Sequence, residues 1–238
     1  MMIGNIQKIM RYPIKSFTGE SLEKARIMSY GIYGDRSHAF IDKANNKHLT
    51  ITQYPKMVTY RAGFSGEESI EKFPDLTITA NDGSEYIWGE TALLERLEQE
   101  TNRTLDSITY APTFVPFPAI EEDNLLLIST KALSELSTSF GESIDERRFR
   151  GNIVYDLQES GINEQDLLGK KIKIGSDVIL KINKFCERCM IITVDPETGI
   201  RQPKLLKQIV KERNNHFGLY ASVIHTGIIH IGDEIAIL

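Results

Sequence analysis

The sequence predicts a mainly β fold: a β-barrel with a few peripheral helices, in an α+β mixture. Three observations carry that prediction. Short runs of alternating or β-branched residues recur along the whole chain. Only three segments show a helical period. No regular strand–helix–strand alternation, the mark of a parallel sheet, is visible.

In chain order, IGNIQKIMRYPIK (3–15) alternates weakly and is broken by Pro13. Residues 21–50 give two strand-like runs joined by glycines, with a turn at Asn45-Asn46. LTITANDGSEYIW (76–88) is a hairpin: Asn81, Asp82 and Gly83 tolerate positive φ between two alternating runs. TALLERLEQET (91–101) is a helix with Leu93, Leu94 and Leu97 on one face and Thr91 as its cap. Pro112, Pro116 and Pro118 then exclude a helix or a central strand, leaving a linker or irregular loop over 111–124.

LLLIS (125–129) is a buried strand. The helix after it is capped by Ser129 or Thr130, faces inward with Ala132, Leu133 and Leu136, and ends at Gly141. A second strand is expected from Arg148. KKIKIGSDVILKINKF (170–185) is a hairpin on a Gly-Ser-Asp turn, and MIITV (190–194) reads as a strand. KLLKQIVKERN (204–214) is helical, and two or three strands close the chain, split at Gly227 and at Gly232-Asp233.

Composition narrows the function. At 238 residues, 41% hydrophobic and 26% charged, the chain can bury a core without staples. A net charge of −5 gives no global attraction to nucleic acid or anionic lipid, so an anion site must be a local cluster of Lys and Arg. Two cysteines make no disulfide framework and suit a reducing cytosol. With no signal peptide and no run of membrane-span length, a soluble cytoplasmic protein is expected, with no membrane and no nucleic-acid partner.

The two thiols sit together as Cys186-Glu187-Arg188-Cys189. A structural zinc site needs four ligands, and the second Cys pair is absent. A thioredoxin-like dithiol needs a helix N-terminus, whereas MIITVDP follows. Two half-buried thiols packed as small hydrophobes is the plain alternative. A sharper one is a single thiolate: Arg188 adjoins Cys189, and in an extended segment positions 186 and 189 face opposite ways. One thiolate suits a metal whose other ligands come from a cofactor. Asp195-Pro196-Glu197-Thr198-Gly199 is a turn.

CERCMIITVDPETGIRQPKLLKQIVKER and FGLYASVIHTGIIHIGDEI resemble the C-terminal signature of MOSC-domain proteins. YPIKSFTGESLEKARIMSYGIYGDRSHAFID, then TITQYPKM, resembles the accompanying N-terminal β-barrel domain. ISTKALSEL and RRFRGNIVYD fit as well, so the likeness covers nearly the whole chain in order. In layout the chain is similar to the mitochondrial amidoxime-reducing members and their bacterial counterparts. The resemblance implies a MOSC-type N-terminal barrel over 1–115 and a MOSC domain over 116–238, with barrels able to interleave.

It also implies molybdenum cofactor (molybdopterin), a pterin dithiolene ending in a phosphate or a nucleotide diphosphate. The family description further carries pyridoxal phosphate binding. In amidoxime-reducing members the second cysteine of the motif is the molybdenum ligand, which here is Cys189; Cys186 then has a supporting role. Lys15, Arg36, Ser129, Thr130, Arg148, Arg150 and Asn152 stand at positions that would cradle the cofactor. Arg148 and Arg150 alternate with Phe149, so on a strand both face one way. Ser129 and Thr130 offer hydroxyls and N–H groups at a helix start. Asp195 is a candidate for ordering the metal-side pocket.

The implied activity is reduction of N-hydroxylated compounds: hydroxylaminopurines, amidoximes or hydroxylamines. Two cysteines could not ligate a four-cysteine cluster, so electrons would come from a separate iron–sulfur or flavin protein. The alternative is a cofactor or sulfur carrier without turnover. RFRGN has glycine where the family often has proline, which loosens the expected placement of Asn152.

Overall fold

The computed structural model describes residues 1–157 and 161–238. The first half contributes β1 (Met2–Arg11), β2 (Glu20–Leu22), β3 (Lys24–Met28), β4 (Gly31–Ile32), β5 (His38–Asp42), β6 (Lys47–His48), β7 (Arg61–Ser65), β8 (Asp75–Thr79), β9 (Glu85–Ile87), α1 (Thr91–Thr101) and β10 (Leu105–Thr109). The second half contributes α2 (Phe117–Ile120), β11 (Leu125–Ser129), α3 (Thr130–Phe140), β12 (Ile153–Leu157), β13 (Lys171–Ile174), β14 (Val178–Glu187), α4 (Lys204–Arg213), β15 (His216–His225), β16 (Gly227–His230) and β17 (Glu234–Ile237).

Seven strands close into a barrel, in the order β12-β11-β15-β14-β13-β17-β1, with β1 returning to pair with β12. The fold is mainly β, as the alternating runs predict, with the helices outside the barrel. β1 comes from the start of the chain and seals a barrel otherwise built by the second half. It is also extended by β2, while β3 and β4 pair with β16. Gly4 permits the closure: a Cβ there would lie 1.7 Å from the Asp156 carbonyl oxygen.

The interior follows the period of two. Leu125 and Leu127, Ile172 and Ile174, Leu180 and Ile182, and Leu219 and Ala221 all enter one core. Strand β1 instead buries Ile3, Ile6 and Ile9, every third residue. Its register slips between Met2 and Gly4 and again between Ile6 and Lys8. Each bulge adds one residue and re-aims the next side chain inward. That is why its alternation reads as weak. Each such Ile or Leu withdrawn from water contributes about 1.5–3 kcal/mol.

A second core lies under the first-half sheets, where Leu93 and Leu97 of α1 pack with Phe17, Phe40 and Tyr60. A third packs α3 and α4 on the barrel wall through Leu136, Ile209 and Phe149.

Local signals mostly held. Asn46, Gly83 and Gly175 all take positive φ at their turns. Ser129 caps α3 by accepting from the Ala132 N–H, and Gly141 ends it at φ 86°. Four segments differ. Thr91 is the first helical residue of α1, which Glu90 precedes without a side-chain cap. The Pro-rich stretch holds α2 and buries Val115, Ala119 and Ile120 against Tyr30.

MIITV is no strand: Met190–Thr193 is a 3-10 turn. Its Ile192 belongs to the third core, and Val194 packs on Ile51 and Val58. Burial in two directions overrides β propensity there. The strand expected from Arg148 begins only at Ile153, because Glu146–Phe149 forms a 3-10 turn capped by Asp145. Among the described residues, no helix is long and apolar enough to cross a membrane.

Candidate functional site

Both halves of the chain meet at a cleft of about 150 Å³. Lys15, Arg36, Arg150, Asn152, Cys186 and Cys189 all line it. The turn after β1 delivers Lys15, whose N–H is fixed by the His38 carbonyl at 2.8 Å. The turn before β5 delivers Arg36, in the left-handed region at φ 50°. Arg150 leaves the Glu146–Phe149 turn at φ 55°. The next residue is glycine, and a Cβ on Gly151 would lie 2.5 Å from the Ile128 side chain, which would have to shift to admit it.

Asn152 is the pin of this assembly. Its side-chain amide donates to the Met10 carbonyl (3.3 Å) and to Asp35 Oδ2 (3.1 Å). Its oxygen accepts from the Leu126 N–H (3.2 Å) and Arg36 Nη1 (3.3 Å). The glycine in RFRGN therefore does not leave it loose. Asn152 positions the floor of the cleft, and only 1% of its surface is exposed.

The cations differ in how they are satisfied. Arg36 pairs with Asp35, donates to the Arg150 carbonyl (3.0 Å) and lies over the Tyr12 ring. Burial works against its charge, but the Asp35 carboxylate more than offsets that and raises its pKa. Lys15 Nζ donates to the Ala119 carbonyl (3.0 Å) and to Glu121 (2.5 Å). Burial still pulls its pKa down, against the pull of Glu121.

Arg150 donates Nη1 to the Phe17 carbonyl (2.8 Å) and stacks 4.3 Å over Tyr12. Its Nη2 is sealed from water and has no partner among the described residues. Burial, then the charge of Arg36, push Arg150 down to about 10.

Cys189 is exposed at the head of the Met190–Thr193 turn, and Cys186 is buried. The cation expected to act on Cys189 turns the other way. Arg188 Nη1 meets Cys186 Sγ at 2.8 Å, and Nη2 meets the Phe149 carbonyl at 2.9 Å. Arg188 Nε, also buried, has no partner among the described residues. Nor do three or more His, Cys, Asp or Glu side chains gather anywhere among the described residues to hold a metal, so the ligands of a zinc clip are not assembled.

Four of the expected residues lie elsewhere. Arg148 does not share a face with Arg150, because a 3-10 turn rather than a strand carries it. It reaches Asp195 (2.6 Å) and Gln202 (2.7 Å), stapling the loop after Cys189. Asp195 takes that charge and the Glu197 and Thr198 N–H groups. Burial opposes its ionisation, but the Thr198 hydrogen bonds and Arg148 prevail and lower its pKa. Ser129 is spent on its cap, and Thr130 donates to Asp156 (2.9 Å). Ser129 borders a separate, wider depression of about 710 Å³ beside α3 and α4, away from both thiols.

Sequence reasoning missed Glu121 and the inward turn of Arg188. Glu121 stands in an acidic run that reads as a solvated loop. Yet it lines the cleft and holds φ 138°, ψ −111°, outside the regions open to L-residues. Such a conformation costs of order 1–3 kcal/mol.

The donor set suits an anionic group with a soft metal. Two buried guanidinium nitrogens await acceptors, an ammonium stands beside them, and an exposed thiol faces the same space. Two known domain families match the chain. A MOSC domain matches residues 107–236, and a MOSC N-terminal beta barrel domain matches 3–109.

The chain belongs to the MOSC-domain family.

Its MOSC relatives include mitochondrial amidoxime-reducing component 1 of Mus musculus, 24% identical over 99% of this chain and 83% of that one. Mitochondrial amidoxime reducing component 2 of Macaca fascicularis is 27% identical over 98% and 83%. Molybdenum cofactor sulfurase of Drosophila mojavensis is 31% identical, over 43% of this chain and 13% of its own. In fold, the MOSC chain is similar to the YuaD protein of Bacillus subtilis, with TM-score 0.51 and 17% identity over 98% of this chain and 94% of that one.

Proposed function

We propose that this MOSC-domain protein binds molybdenum cofactor in the cleft and reduces N-hydroxylated compounds in the cytoplasm, with electrons from a separate iron–sulfur or flavin protein. Hydroxylaminopurines, amidoximes and hydroxylamines are the substrate class. The observation that carries the reading is the shared cleft of an exposed Cys189 and a buried, unpartnered Arg150 Nη2. A purely structural barrel has no reason to bury a guanidinium there with one nitrogen left without an acceptor.

In this reading Cys189 ligates the metal, while Arg150, Lys15 and Arg36 hold the phosphate end. Asn152 keeps Arg36 and the 150–152 turn in place. Cys186 accepts from Arg188 and so fixes the strand end from which Cys189 projects. Arg148 and Asp195 hold the following loop. When bound, the cofactor supplies the redox chemistry that takes up the substrate's oxygen.

Relatives named molybdenum cofactor sulfurase favour a second reading, a cofactor or sulfur carrier without turnover.

The test is metal and pterin content after production in a host that makes the cofactor. Molybdenum near one equivalent, lost in Cys189→Ala and kept in a less stable Cys186→Ala, supports the assignment. Equal loss in both variants refutes Cys189 as the single ligand. Loaded protein that fails to reduce an amidoxime with a competent donor supports the carrier.

A further inference from the structure

The cleft's cations are unequally provided for. Arg36 has Asp35. Arg150 and Arg188 have no carboxylate in salt-bridge range among the described residues, and each keeps a buried nitrogen unpartnered. Lys15 Nζ is met by the Glu121 carboxylate at 2.5 Å. Glu121 makes that contact from the strained backbone at the end of α2, φ 138°. Its neighbours also border the cleft but have other partners: Glu122 pairs with Lys184, and Asp123 accepts from Asn183. The cleft encloses about 150 Å³. Sites that take small molecules run to roughly 300–1,000 Å³. Withdrawing a lining side chain would enlarge the cleft toward that range.

The geometry points to Glu121 as a displaceable internal anion, which holds Lys15 until a dianionic phosphate that also engages Arg150 Nη2 takes its place. This rests on the reading of the cleft as a phosphate cradle. A free monocarboxylate offers Lys15 the same charge as Glu121 without the advantage of a tether, so it gains nothing. A phosphate monoester carries roughly −1.5 to −2 charges at neutral pH and has three acceptor oxygens, enough for Lys15 and Arg150 together. Once released, Glu121 leaves a backbone conformation that costs free energy to hold, which favours the exchange. Its departure also widens the cleft. Glu121 is thus a specificity-determining residue: it admits a doubly charged phosphate and turns away singly charged anions.

The experiment uses the full chain made in a host unable to synthesise the cofactor, titrated calorimetrically with inorganic phosphate and with acetate. The wild-type protein binds phosphate and not acetate. Glu121→Gln binds phosphate at least about tenfold tighter, the scale of one competing ion pair removed, and gains acetate binding. Glu121→Gly, which suits the local backbone, does the same, and Glu122→Gln behaves as wild type. Phosphate affinity unchanged or weakened in both Glu121 variants, while the wild type binds, overturns the displacement and leaves the cradle standing. No phosphate binding by any of the four overturns both.

Discussion

Replacing Arg150 with methionine should make the cofactor-free protein more stable. The buried guanidinium is pushed down from its ordinary value to about 10, first by burial and then by Arg36. That shift corresponds to on the order of 3 kcal/mol against the charged form. A base whose folded pKa is depressed carries this cost at every pH below its folded value, so it applies in full at pH 7. Methionine keeps an apolar stem in the same space. It forfeits the hydrogen bond to the Phe17 carbonyl, about 1 kcal/mol, and the stacking on Tyr12, about 0.5–1 kcal/mol. The balance is a gain of about 1 kcal/mol, or roughly 2–4 °C for a chain of this size. Thermal unfolding followed by circular dichroism reads it, and phosphate titration of the same samples should show affinity lost by at least about tenfold. A melting temperature lowered by more than about 3 °C would refute the reasoning. Arg150 would then be a structural staple and not a cation held for a ligand.

Arg148→Met is the counterpart and should do the opposite. Removing the side chain that joins Asp195 and Gln202 should cost about 2–3 kcal/mol, read by urea unfolding, with phosphate affinity within about twofold of wild type. His38 is held neutral among Phe64, Phe73 and Trp88, with burial pushing it down to about 4. Between its ordinary pKa near 6.5 and about 4, the unfolded chain takes up a proton that the folded protein refuses. Stability should therefore fall by on the order of 3 kcal/mol as pH drops through that window, and His38→Phe should flatten the profile.

The cleft was legible in part. Lys15, Arg36, Arg150 and Cys189 stand at motif positions, and one cleft collects all four. Arg148 was misplaced because alternation around Phe149 assumes a strand, while Asp145 starts a 3-10 turn that sends the two arginines apart. Glu121 was invisible because neither its φ of 138° nor its partner Lys15, 106 residues away, leaves any mark on the local pattern.

The sequence by itself determined what lies within a few residues' reach. The turns at Asn46, Gly83 and Gly175 follow from residues that tolerate positive φ, and Ser129 and Gly141 bound α3 through their own hydrogen bonds and backbone freedom. The paired apolar positions of β11, β13, β14 and β15 mark the barrel wall through a period of two. Tertiary structure decided the rest. It closed the barrel with β1, whose bulges are set by partners more than 140 residues away. It turned the β-branched run after Cys189 into a 3-10 turn by burying Ile192 and Val194 against different cores. It also sealed Arg150 Nη2 without an acceptor among the described residues. Periodicity records which side chains share a face of one element. Where a charged side chain ends, and what it meets there, depends on contacts between distant segments.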